Sequence, residues 1–224
     1  MDTDEVIEQL KRASSPSSLP GMKRFGIQVE HALGVSIPDI RKLAKRIGKN
    51  HTLAQRLWAT GIHEARILAA MIDEPSKVTA NQMDRWVRGF DSWDLCDQCC
   101  MNLFDKTPFA YAKALAWSRR KEEFVKRAGF ALMACLAVHD KQASNESFEK
   151  FLVAVEKGSF DDRNFVMKAV NWALRQIGKR NRQLNRAAIK KAREIQRFDS
   201  KPAKWIASDA IRELTNPRIS RTLG

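Results

Sequence analysis

Apolar positions recur at helical spacing along nearly the whole chain. No run alternates apolar and polar residues as a half-buried strand would, and a single tyrosine with scattered valines offers little strand-forming content. An all-α fold follows. The first helix is predicted over Thr3–Ala13 and closes at Ser14-Ser15-Pro16-Ser17-Ser18-Leu19-Pro20-Gly21, whose two prolines and glycine cannot continue it. Ser36-Ile37-Pro38-Asp39 reads as a second helix start, with proline in the first turn. Ile40, Leu43, Ala44 and Ile47 then follow at helical spacing, and Gly48 stops the run.

Four segments repeat a pattern of small and large apolar residues around one polar position. They begin at Glu64, Val125, Val166 and Ile206, with the polar positions at Arg66, Arg127, Lys168 and Ser208. The intervals are 61, 41 and 40 residues, and the first holds an additional helical segment from Ser92 to Phe104. The mean step is therefore about that of HEAT or armadillo units, roughly 40 to 47 residues. Alanine-rich helices let neighbours approach closely, as the inner helices of a solenoid must. The expected architecture is a HEAT-like or armadillo-like α-solenoid of antiparallel helical repeats with a concave basic face. It forms a single domain over 1–224, with an N-terminal helix and Ser/Pro loop over 1–21 and the solenoid over 22–224. An ordinary helical bundle, which also places alanine at helix contacts, is the alternative.

Composition adds a partner class. Apolar residues make up 44% of the chain, enough to bury a core, so a disordered basic tail is excluded. Forty lysines and arginines against 26 acidic residues leave a net charge of +14, which points to a polyanion, although a basic protein need not bind nucleic acid. The charge is concentrated: residues 175–224 hold fourteen basic and four acidic side chains. Arg182, Arg186, Lys190 and Arg193 fall on one helical face, a spacing suited to a phosphate backbone. Met1 to Ala13 opens with Asp2, Asp4 and Glu5 and has no apolar run, and no stretch approaches the roughly 18 apolar residues of a membrane span. A cytosolic location is expected, or a nuclear one in a eukaryote. Four cysteines fit a reducing compartment.

Candidate chemistry centres on Phe90-Asp91-Ser92-Trp93-Asp94-Leu95-Cys96-Asp97-Gln98-Cys99-Cys100. If Ser92 caps a helix, Trp93 and Asp97 are one turn apart on the same face, where an indole and a carboxylate border one small volume. Packing plus capping is the plainer account of such a pair, and Asp94 in the first turn suits the helix dipole. Cys96, Cys99 and Cys100 invite a metal reading, but the rest of the chain offers only Cys135 and scattered His31, His51, His63 and His139, so buried thiols are the better account. No phosphate-cradling glycine motif and no serine nucleophile elbow is present.

Four blocks, Gly34 to Lys45, Ser92 to Asp97, Phe124 to Gly129 and Phe165 to Arg175, together resemble successive parts of the AlkD-like DNA alkylation repair family. The likeness runs from about residue 22 to 215, and the chain departs from the family in a shorter N-terminal region. The resemblance implies a HEAT-like solenoid that excises positively charged N3- and N7-alkylated purines. It carries the family's catalytic aspartate onto Asp97, its sugar-contacting tryptophans onto Trp93 and Trp172, and its lesion-side arginine onto Arg127, with Lys126 the neighbouring choice. Phosphate contacts are expected from Lys126, Lys168, Arg175, Lys179, Arg180, Arg182, Arg186 and Lys190.

The expected function is thus a monofunctional DNA glycosylase acting on duplex DNA that contains alkylated bases. It would leave an abasic site, need neither metal nor organic cofactor nor nucleotide, and work as a monomer in the cytoplasm in association with DNA. The alternative is a non-catalytic DNA-binding solenoid for damaged or branched DNA. A protein-binding adaptor is disfavoured, because it gives no reason for Trp93, Asp97, Arg127 and Trp172 to occur together on repeat helices.

Overall fold

A computed structural model of the chain describes residues 1–222, with side chains through Ile219; Arg221, one of the fourteen basic residues of the C-terminal stretch, lies outside the described side chains. Every regular element is a helix among the described residues. None is long and apolar enough to cross a membrane among those residues. Contacts divide the chain into two compact units, Met1–Thr107 and Pro108–Gly224, a division that the sequence does not mark.

The first unit holds α1 (Thr3–Arg12), α2 (Leu19–Arg24), α3 (Ile37–Ile47), α4 (His51–Ala59), α5 (His63–Ile72), α6 (Ala80–Arg88) and α7 (Trp93–Asn102). α1 opens with a capping box between Asp2 and Glu5. α2 corrects the sequence reading of 14–21. A 3₁₀ turn over Pro16–Ser18 leads straight into a short helix, because Pro20 sits in its first turn, where its missing N–H would have had no partner. α3 runs from a Ser36 cap to Gly48 at φ 76°, as its local signals predict. α5 is buried nearly all round and packs against α3, α4 and α7, so it forms the centre of the unit. Beside it Trp58 and Trp86 stack 4.0 Å apart and within 3° of parallel.

The second unit contains α8 (Ala110–Trp117), α9 (Glu123–His139), α10 (Asn145–Gly158), α11 (Asn164–Gly178), α12 (Arg182–Gln196), α13 (Lys201–Leu214) and α14 (Pro217–Thr222). α9 packs on α11 and α11 on α13, while α8, α10 and α12 form a second layer in which α10 touches both neighbours. The pairs α8/α9, α10/α11 and α12/α13 are the repeats of a solenoid. The repeated alanine-rich segments of this unit therefore all fall in one layer, on α9, α11 and α13. Alanine permits that closeness, and Gly129 extends it: a Cβ there would collide with the Ser118 backbone nitrogen, at 2.8 Å from Ser118 Cα and 2.9 Å from the Ala114 carbonyl. Backbone cannot rotate away as a side chain can. Gly129→Ala should thus part α8 from α9 and cost about 2 kcal/mol or more, a drop of several degrees in melting temperature by circular dichroism. Unchanged melting would mean that this contact does not set the α8/α9 spacing.

Candidate functional site

Within the first unit the site residues lie at the start of α7. Ser92 occupies the N-cap in extended conformation, but its hydroxyl makes no capping bond. It accepts from the Gln28 N–H at 3.0 Å and donates to Asp91 Oδ1 at 3.2 Å. Trp93 donates its indole N–H to the Phe25 carbonyl at 3.0 Å. The segment after α2 is therefore strapped to the first turn of α7 at two points. Trp93 and Asp97 are one turn apart and both half-buried, as their spacing predicts.

Asp94 has a second task besides the helix dipole. Its Oδ2 lies 2.8 Å from His63 Nε2 at the start of α5, and His63 is only 5% exposed. Burial alone would lower the His63 pKa, but the Asp94 hydrogen bond and charge, with Glu64 and Asp91 behind them, raise it above its ordinary value. A pKa raised by folding contributes stability that is present below the unfolded value of about 6.5 and is lost as pH rises through the folded one. The melting-temperature gap between wild type and Asp94→Asn should accordingly be wider at about pH 5.5 than at about pH 8.5. A gap that is constant or widens with pH would show that the pair does not carry the charge.

Cys96, Cys99 and Cys100 are fully buried. Burial, with Cys96 beside it, pushes the Cys99 thiol well above its usual range. Among the described residues no three His, Cys, Asp or Glu side chains stand close enough to hold a metal ion.

In the second unit Arg127 is 6% exposed on α9 and donates to the Phe165 carbonyl at 2.6 Å, in the first turn of α11. Expected on the lesion side, this guanidinium is bonded in the folded chain to the helix that carries Trp172. Lys126 pairs with Asp161 at 2.8 Å. Lys168, Trp172, Arg175 and Lys179 recur along one face of α11, Lys168 exposed and the rest half-buried. With the Gln176 amide turned to satisfy its neighbours, its oxygen accepts from Trp172 Nε1 and Lys179 Nζ, each at 3.2 Å. Arg175 and Lys179 both reach Glu213 on α13, the latter at 2.7 Å. Burial opposes the Glu213 charge, yet Lys179 and Arg175 hold its carboxyl below the usual range. Arg180 donates to the Ala137 and Ala143 carbonyls and lies 4.4 Å over the Phe148 ring. Lys126, Arg175, Lys179 and Arg180 thus carry structural contacts that long-range sequence separation hides.

Arg182, Arg186 and Lys190, expected to contact phosphates, lie in a different layer from Trp172. These residues sit on α12, in the α8/α10/α12 layer, on the side of that helix opposite its buried Leu184, Ala188, Ala192 and Ile195. Spacing put them on one face but could not say which layer that face belongs to. Sequence reasoning also passed over Trp205, 43% exposed on α13 with Lys204 and Ser208 exposed alongside it. An aromatic at an outward helical position was the available signal.

The chain matches the DNA alkylation repair enzyme family over residues 6–214. A solved structure described as belonging to a new family of proteins related to the HEAT-like repeat DNA glycosylases, with affinity for branched DNA structures, superposes with a TM-score of 0.79. It is 21% identical, over 95% of this chain and 95% of that one, a likeness of fold. The uncharacterized proteins Lmo0209 of Listeria monocytogenes and Lin0241 of Listeria innocua are each 23% identical over 133 residues, 58% of this chain and 59% of theirs. The chain therefore aligns with about three-fifths of the length of these relatives. With the family's pattern spanning nearly the whole sequence, the chain belongs to the DNA alkylation repair enzyme family.

Proposed function

We propose that the protein is a monofunctional glycosylase that hydrolyses the N-glycosidic bond of positively charged N3- and N7-alkylated purines in duplex DNA. The observation that supports it most is the α7 face on which Trp93 and Asp97 stand one turn apart, half-buried and anchored through the Phe25 carbonyl. A cationic alkylpurine leaves as a neutral base and so needs no general acid. The remaining task is to stabilise an oxocarbenium-like sugar and admit water to it. Asp97 would supply the opposing charge and orient the water, on the logic of glycoside hydrolysis. The electron-rich faces of Trp93 and Trp172 would favour the charged sugar by about 0.5–2 kcal/mol each. Arg127 acts as a positioning residue, holding α11 and with it Trp172. Lys168, the exposed cation of the α11 face, would take a phosphate.

The test is release of 7-methylguanine or 3-methyladenine from methylated duplex DNA. Release above the spontaneous rate supports the assignment, and binding without release overturns it. The second reading, a non-catalytic DNA-binding solenoid, is favoured by the burial of Arg127 and its bond to the Phe165 carbonyl, which leave its guanidinium little surface with which to grip a lesion strand. Such a protein would excise nothing, and its affinity for duplex DNA would be the same before and after the substitution Asp97→Asn.

A further inference from the structure

The outward face of α12 carries Arg186, Lys190 and Arg193, and Arg197 continues the same line just past the helix end. All four are exposed, and each is about one helical turn from the next. They border a shallow groove of about 430 Å³ floored by the apolar Ile189. The one carboxylate in this lining, Glu194, is engaged at 2.7 Å by Lys191, which also pairs with Glu156 of α10. Four cations against this one carboxylate leave the stripe strongly positive.

The line from Arg186 to Arg197 spans about 16 Å, a length over which duplex DNA presents about nine phosphates. A protein partner would be gripped by buried aromatic anchors, and α12 contains no aromatic residue. A regular row of cations on a rigid helix instead matches a regular polyanion. Its layer differs from that of Arg127, Trp172 and Lys168 on α9 and α11. A duplex held along α11 cannot also lie on the opposite side of α12, because the paired helices stand between them.

We infer that the exposed face of α12 is a second DNA-binding track, which takes the phosphates of a duplex segment separate from the one held on the α9/α11/α13 layer. The inference does not require that the protein excise bases.

The experiment is a bridging assay with the full chain and unmodified DNA. A short duplex is fixed to beads, protein is loaded, and a labelled duplex is offered in solution at low salt. Wild type should retain the labelled duplex. The triple variant Arg186→Ala/Lys190→Ala/Arg193→Ala, confirmed as folded by its melting curve, should still load onto the beads but retain at least about tenfold less. The salt slope of second-duplex capture should fall by about 2.7, or about 0.9 for each phosphate that the variant leaves unneutralised. Absence of bridging by wild type, or equal bridging by the variant, overturns the inference. So does proportional loss of loading, which would make the stripe part of the first surface. Preferential capture of an RNA duplex or of poly-glutamate at the same salt would overturn the assignment to DNA.

Discussion

Asp97→Asn is expected to slow release of methylated purines from duplex DNA by about 10³-fold while leaving duplex affinity within about twofold. Asparagine keeps the shape and one acceptor of the side chain, replaces the other oxygen with an amide donor and removes the charge. At about 4 Å and an effective dielectric near 20, a carboxylate facing a full positive charge is worth about 4 kcal/mol, which sets the size of the loss. The charge matters only when the sugar becomes cationic, so the ground-state complex should not weaken. Single-turnover base release and fluorescence anisotropy on the same preparations separate the two effects. A variant that releases base at more than about a tenth of the wild-type rate would remove Asp97 from the chemistry. Loss of affinity equal to the loss of rate would make it a binding residue.

Glu64→Ala should produce the largest loss of stability, about 3–5 kcal/mol, or ten degrees or more of melting temperature. Glu64 is 1% exposed in the middle of the first unit. Its carboxylate accepts the backbone N–H groups of Leu33 at 2.9 Å, Gly34 at 2.8 Å and Val35 at 3.3 Å. Alanine would leave three donors unsatisfied beside a cavity. The chain has no alternative path there: Gly34 has φ +76°, and a Cβ on it would run into the Ser15 carbonyl. Glu64→Gln retains one acceptor oxygen and should lose less than half as much. Hydrogen exchange should show the amides of residues 33–35 opening first in the alanine variant. Protection unchanged at those amides would mean that the loop is held by other contacts.

The parts of this architecture that were legible in the sequence are those set by local chemistry. The Ser36 cap, Pro38 in a first turn and Gly48 at the end fix α3 within a dozen residues. The alanine-rich segments mark the α9/α11/α13 layer because close backbone approach admits little else. What could not be read depends on contacts between distant residues. His63 and Asp94 are 31 residues apart, and Arg127 and Phe165 are 38 apart. Neither partner carries a local mark of the other. The basic tail shows the same limit: its count and period were plain, but only the packing of α12 against α10 assigns its stripe to a layer. α2 was missed for a different reason, since Pro16, Pro20 and Gly21 taken together read as a break, whereas proline in a first turn is an ordinary start.

The parallel stack of Trp58 on Trp86 also gives the protein a built-in optical gauge. Two indoles held face to face at 4.0 Å couple their excited states, so their near-ultraviolet absorption band should change when the rings part. Both rings belong to the first unit. Its opening can therefore be followed by that band, without a label, while the helical signal follows the whole chain.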